Sequence, residues 1–251
     1  MSSSRDVVLQ TAELVQEILL QLDMRTLLTA AQRVNRQWRE LITSSPALKQ
    51  ALYFEPIAQS SGPATQNPLL VEAFPLWFSQ KTKEEQLKVS MPFEMPCRDD
   101  FYGLPMAQES RRHAFMHPDA TWRHMLVRQP PVPSLCGWSM AHGMMGDSHD
   151  FCLHEFPDGL RMGYFYDTVQ EWVSQQVSYF NVFWDSGTAI AVGKSRCSDR
   201  MDQGDQDKLK SFASQQAITL LFYMVQQCCW EPPDVSFEEA FTFASPKAPE
   251  V

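Results

Sequence analysis

The residues best suited to chemistry lie close together in HGMMGDSHDFCLH, where His142, Asp147, His149, Cys152 and His154 fall within thirteen positions. Imidazole, carboxylate and thiolate are the ligands of a zinc centre, and a thiol beside an imidazole is the start of nucleophilic catalysis. The spacing argues against both. A structural zinc wants four converging ligands, and this pattern matches no zinc module. Cys152 and His154 alternate with Phe151, Leu153 and Glu155, as in a half-buried strand. Cys228-Cys229 closes an apolar run and reads as packing. No GxSxG, HExxH or Walker-type loop occurs. The expectation is a protein without catalytic residues of its own, metal or cofactor.

The elements that would position such residues belong to a globular chain. Its 251 residues are 44% hydrophobic, 20% charged and 12% aromatic, unlike a disordered segment. The formal net charge is −9, which disfavours broad binding to nucleic acid or anionic membrane. Residues 1–54 carry six Lys/Arg against five Asp/Glu, and the remainder fifteen against twenty-five. The acidity therefore belongs to the C-terminal part, where it weakly favours targets with basic surfaces. MSSSRDVVLQTAEL does not read as a signal peptide, and no apolar run approaches the ~20 residues of a membrane span. The six cysteines lack framework spacing, so reduced thiols and an intracellular setting, cytoplasm or nucleus, are expected.

Periodicity divides the chain. Thr11 can cap a helix carrying Leu14, Ile18, Leu19 and Leu22. Asp23 offers a second cap, before Leu27, Leu28, Ala31, Val34, Trp38, Leu41 and Ile42 in steps of three and four. Ser45-Pro46 opens a third helix through Leu48 and Leu52. Residues 55–66 are polar, with Pro and Gly, and read as a linker. Beyond it KTKEEQLK suggests a solvated helix or turn, and DATWRHMLVRQPPVPSL one short helix capped by Asp119 and stopped by Pro130-Pro131. HDFCLHEF and SYFNVFWD read as strands flanking a helix in GYFYDTVQEWVSQQ. RCSDRMDQGDQDKLK reads as a charged loop, QAITLLFYMVQQC as a long buried strand, and the tail as an added edge strand. The Trp residues at 77, 122, 138, 172, 184 and 230 are expected in the core. The fold class is α+β, a three-helix unit followed by a region with a small antiparallel sheet and packed helices.

The first fifty residues hold more apolar side chains than three short helices bury against one another. Each exposed Leu or Ile forgoes roughly 1.5–3 kcal/mol of burial. The pattern resembles the F-box, a helical module that docks on the Skp adaptor of SCF-type ubiquitin ligases. Glu13-Leu14 opens the match, Ile18-Leu19 and Leu22 end the first helix, and Arg25-Thr26-Leu27-Leu28 open the second. Val34-Asn35-Arg36-Gln37-Trp38-Arg39 close it, and Ser45-Pro46 with Leu48 match the third. There are departures: Gln10 and Thr11 stand where many F-boxes have Leu-Pro, Asn35 stands where many have Cys, and Asp23-Met24 replaces a Pro near the turn. The Leu-Pro loss bears on adaptor contact, for which Leu9 is a substitute.

The whole chain also resembles a type associated with filamentous fungi, in which an F-box precedes NPLL…FP-x-WF and Trp-Arg-x-Met-Leu-Val-x-Gln-Pro-Pro-Val segments. Both are present, at 67–78 and 122–132. The resemblance implies an F-box over 8–54, a linker over 55–66 and a target-binding α+β region over 67–251. It implies a substrate receptor that joins the Skp adaptor, and through it cullin, to an unidentified protein substrate. Leu9, Leu14, Ile18, Leu19, Leu22, Leu27, Leu28, Val34 and Trp38 are its expected adaptor-binding residues. The competing expectation is an adaptor-bound or stand-alone scaffold outside ubiquitination, its helices covering only its own core. A metal-dependent or thiol enzyme built on His142, His149, Cys152 and His154 is the third.

Overall fold

A computed structural model describes residues 11–57, 63–78, 81–144, 146–174, 177–196, 201–213, 218–225 and 241. The described residues open with four α-helices, α1 (Ala12–Leu19), α2 (Met24–Thr29), α3 (Arg36–Ser44) and α4 (Pro46–Ala51), with a 3-10 turn at Ala31–Arg33. The expected second helix is thus split. Asn35 is extended, and its side chain accepts the Trp38 N–H at 2.8 Å, so it restarts the helix as an N-cap. Asp23 and Ser45 cap α2 and α4 as expected, with Pro46 in the first turn of α4. Val15, Leu19, Leu27, Ala31, Ile42, Leu48 and Leu52 form the helical core.

This helical unit is bonded to the C-terminal region. Leu126 donates its N–H to the Tyr53 carbonyl at 2.7 Å, and Arg161 Nη1 donates to the Phe54 carbonyl at 3.2 Å. Leu28 and Phe54 pack against both the helical core and the main core. The expected linker is held at its ends. Gln129 Nε2 donates to the Glu55 carbonyl at 2.8 Å and its Oε1 accepts the Ile57 N–H at 3.0 Å. Thr65–Gln66 form β1, antiparallel to β2 (Arg128–Gln129).

The two segments of the second resemblance build the main core. Asn67 is buried, caps α5 (Pro68–Ala73) through Oδ1, and donates Nδ2 to the Leu126 carbonyl at 3.3 Å. Leu70, Phe74, Trp77 and Phe78 join Trp122, Met125 and Val127 against α8 (Met162–Val173), with α6 (Lys83–Lys88) and α7 (Glu109–Phe115) between them in the chain. The helix expected near Trp122 is only a 3-10 turn, Thr121–His124. Non-local bonds outcompete it: Leu126 and Val127 give their N–H groups to Tyr53 and Leu160.

A four-stranded sheet has the order β4-β3-β6-β5, with β3 (Ser134–Gly143), β4 (Gly146–Glu155), β5 (Ser178–Phe183) and β6 (Ile218–Val225). It is mixed rather than antiparallel, because β3 and β6 run parallel. Ile218, Leu220 and Phe222 face α8, while Leu221 and Tyr223 face α9 (Ser186–Arg196) and α10 (Gln203–Ala213). Burial on both faces explains the continuous apolar run of β6. The expected charged loop contains α10, whose first turn is held by Asp202 Oδ1 accepting the Asp205 N–H at 2.8 Å. The edge strand expected in the tail, and Trp230, lie outside the described residues.

Candidate functional site

Leu14 and Ile18 share one face of α1, a turn apart, and stand 45% and 40% exposed. Val15 and Leu19 share the adjoining face, about 100° around the helix, and are fully buried. An apolar helix with two apolar faces thus spends one on its own unit and leaves the other to solvent. Glu13 and Glu17 flank the exposed pair and are themselves exposed. Ser45 Oγ donates to Gln16 Oε1 at 2.6 Å, which fixes α1 against the start of α4.

The remaining expected adaptor-binding residues divide by burial. Val34 is 57% exposed, at the end of the 3-10 turn. Leu22, Leu28 and Trp38 are half-buried and pack against the helical core. Leu19 and Leu27 are buried in it. Leu9 lies outside the described residues. The Trp38 indole N–H is buried without a hydrogen-bond partner. The accessible apolar surface that remains is Leu14, Ile18 and Val34, with Leu22 and Trp38 half-covered.

Polar contacts hold this surface in register. Asp23 accepts the Thr26 N–H at 2.9 Å and the Thr26 hydroxyl at 2.6 Å, and the hydroxyl bond leads in holding its carboxyl below the usual value. Arg25 Nη2 reaches both Glu72 oxygens, at 2.8 and 2.7 Å, across to α5. Both partners are exposed, so this pair orients more than it stabilises. Sequence reasoning missed Arg25, Tyr53 and Phe54 as joints to the rest of the chain. Their bonds go to residues 47 to 107 positions away, which no local period signals.

The histidine and cysteine cluster does not converge. Strand alternation puts His142, Asp147 and His149 on the α10 face of the sheet, and Cys152 and His154 on the other. Among the described residues, no three His, Cys, Asp or Glu side chains meet as metal ligands. His142 Nδ1 and Asp147 Oδ1 form a short hydrogen bond. Trp138 Nε1 donates to His149 Nδ1 at 3.2 Å, and burial pushes the His149 imidazole down. Cys152 Sγ lies 3.4 Å from His154 Nε2, yet burial raises its thiol, the opposite of an activated nucleophile.

The described tryptophans serve the interior. Trp77 and Trp138 are fully buried and Trp122 nearly so, while Trp172 and Trp184 are half-buried. Trp77 Nε1 donates to the Phe165 carbonyl at 3.2 Å and Trp184 Nε1 to the Trp77 carbonyl at 2.9 Å. Val132, inside the PPVP segment, is buried in the same core. No helix among the described residues is long and apolar enough to cross a membrane. The chain matches no protein-family model, no curated protein and no solved structure.

Proposed function

We propose that this chain is the substrate-receptor subunit of an SCF-type ubiquitin ligase. The helices of residues 8–54 dock on the Skp adaptor, which links them to cullin, and the α+β region of 67–251 holds a target protein. Such a subunit works in the cytoplasm or nucleus. One observation carries the reading: α1 keeps Leu14 and Ile18 exposed while its adjoining face, Val15 and Leu19, completes the helical core. Covering two half-exposed aliphatic side chains is worth on the order of 1 kcal/mol each, a contribution that a partner rather than the chain collects. Asn35 fits the same reading despite standing where many F-boxes have Cys, because it works as the N-cap of α3.

Catalysis in this role is proximity. The receptor raises the effective concentration of a target lysine at the charged conjugating enzyme and supplies no reacting side chain. The raised thiol of Cys152 and the divided histidines are consistent with that division of labour.

The contacts of Leu28, Tyr53, Phe54 and Arg25 with the rest of the chain favour a second reading, a scaffold outside ubiquitination. Co-expression with the Skp adaptor separates the two. Wild type is expected to co-purify with the adaptor and Leu14→Lys/Ile18→Lys to lose it while remaining folded. A folded wild type that binds no adaptor would sink the receptor reading. Adaptor binding without target ubiquitination would leave the scaffold.

A further inference from the structure

The two edges of the four-stranded sheet are treated differently. At β5, Phe180 donates its N–H to the Pro96 carbonyl at 2.9 Å and Tyr179 forms a bridge with Cys97, so the chain covers its own edge. At β4 nothing comparable occurs among the described residues. Its register with β3 runs unbroken from Ser134↔Glu155 to Gly143↔Gly146, ten residues without a bulge. The strand contains no proline and no lysine, the usual guards of an open edge. α10 lies against β3 and β4 on one face. On the other, Ser148, Asp150, Cys152 and His154 are exposed.

Charge says what would pair there. Residues 134–158 hold Asp147, Asp150, Glu155 and Asp158 and no Lys or Arg. Asp150, Glu155 and Asp158 are exposed. A second copy laid along β4 would bring acidic strand to acidic strand between chains of net charge −9. An extended segment with basic residues at alternate positions would instead set one of them beside Asp150, on the face shared with Ser148, Cys152 and His154, while Glu155 stands at the strand's end on the other face and adds to the acidic field. At that end His154, Phe156 and the exposed Tyr164 gather, with the Phe156 and Tyr164 rings 4.9 Å apart and His154 6.0 Å from Tyr164. They offer a place for an apolar side chain.

We infer that the edge of β4, which no strand among the described residues covers, captures the target protein by strand addition, taking an extended basic segment whose backbone bonds along this edge. This deepens the reading of the C-terminal region as the target-binding part and rests on it. Backbone hydrogen bonds supply the binding, and the acidic residues select the partner.

The test uses the full chain and a fluorescein-labelled ten-residue peptide alternating Lys and Val, read by polarisation. Saturable binding is expected. It should weaken about tenfold in Asp150→Lys/Glu155→Lys, and similarly when Glu replaces Lys in the peptide. N-methylation of alternate peptide nitrogens, which keeps every charge, should remove binding when it falls on the paired edge. Absence of binding by the Lys-Val peptide overturns the inference. So does equal binding by both N-methylated isomers, or a dimer in light scattering that Asp150→Lys dissolves. The adaptor takes no part in this assay. Failure here with adaptor co-purification intact removes only the edge, and the converse removes only the receptor reading.

Discussion

Trp138 and His149 are joined across the β3–β4 pair: the indole N–H donates to imidazole Nδ1 at 3.2 Å, with the rings 6.1 Å apart. That bond requires a neutral imidazole with its proton on Nε2, and Nε2 is buried without a partner. Burial lowers the His149 pKa below its ordinary 6.5, and the nearby Asp205, Asp147 and Asp202 carboxylates oppose the shift without cancelling it. The unfolded chain therefore takes up the proton at a higher pH than the native one. Above about pH 6.5 the neutral imidazole costs nothing, and stability falls as pH drops from there through the lower native value. His149→Gln keeps an acceptor for Trp138 and does not titrate. Urea midpoints between about pH 7.5 and about pH 5.5 are expected to fall more steeply for wild type than for His149→Gln. Parallel curves would remove His149 as the group responsible.

The two faces of α1 predict opposite mutational outcomes. Leu14→Lys/Ile18→Lys replaces exposed residues with a good helix former, so stability should change by less than about 1 kcal/mol. Leu19→Ala empties a wholly buried site and should cost ~2–5 kcal/mol, as should Leu27→Ala. Denaturant unfolding of the variants distinguishes these. A double variant as destabilised as Leu19→Ala would mean that Leu14 and Ile18 are core, and adaptor loss in it would then say nothing about an interface.

This division also shows how far the sequence alone is legible. Periodicity locates α1 and its apolar residues, but Leu14-Val15 and Ile18-Leu19 are adjacent pairs, and both members of each suit burial. Which one turns inward depends on α3 and α4, set by the Asn35 and Ser45 caps. β6, α8 and the strand nature of β4 are readable because each has a strong local pattern. α10 is not, because its only buried described apolar residue is Leu209 amid charges paired along its surface, such as Lys210 with Asp207. The parallel pairing of β3 with β6 joins residues about eighty positions apart, as in Leu135↔Ile218, and no local signal encodes it. The alternation of β4 does place Cys152 and His149 on opposite faces, and for that reason the same strand pattern argues against a shared metal ion.

Gly163 lies where α8 meets the turn at Thr121–His124. A β-carbon there would sit 2.9 Å from the Arg123 carbonyl oxygen and 3.1 Å from its Cβ. Backbone cannot step aside as a side-chain tip does, and Arg123 is held further by two bonds to Asp167, from Nη1 at 3.0 Å and Nη2 at 2.6 Å. Gly163→Ala is expected to cost about 1–3 kcal/mol, the range for overpacking, although alanine is the better helix former. Thermal unfolding measures it. A neutral or stabilising change would show that the turn shifts freely and that Arg123–Asp167 does not fix it.

Cys136 and Cys152 predict separate labelling behaviour. Cys136 is wholly buried in β3, and burial, helped by the neighbouring Cys152 thiol, pushes its pKa up to about 12. Cys152 is exposed, and its pKa is raised by burial of the sulfur. Alkylation near neutral pH should therefore be slow at Cys152 compared with a free thiol, because only the thiolate reacts. At Cys136 it should proceed only as fast as the sheet opens, so its rate should track stability across urea concentrations. Peptide mapping after timed iodoacetamide exposure reads both sites. Rapid stoichiometric modification of Cys152 in the folded chain would show an activated thiol and reopen the case for thiol chemistry at His154.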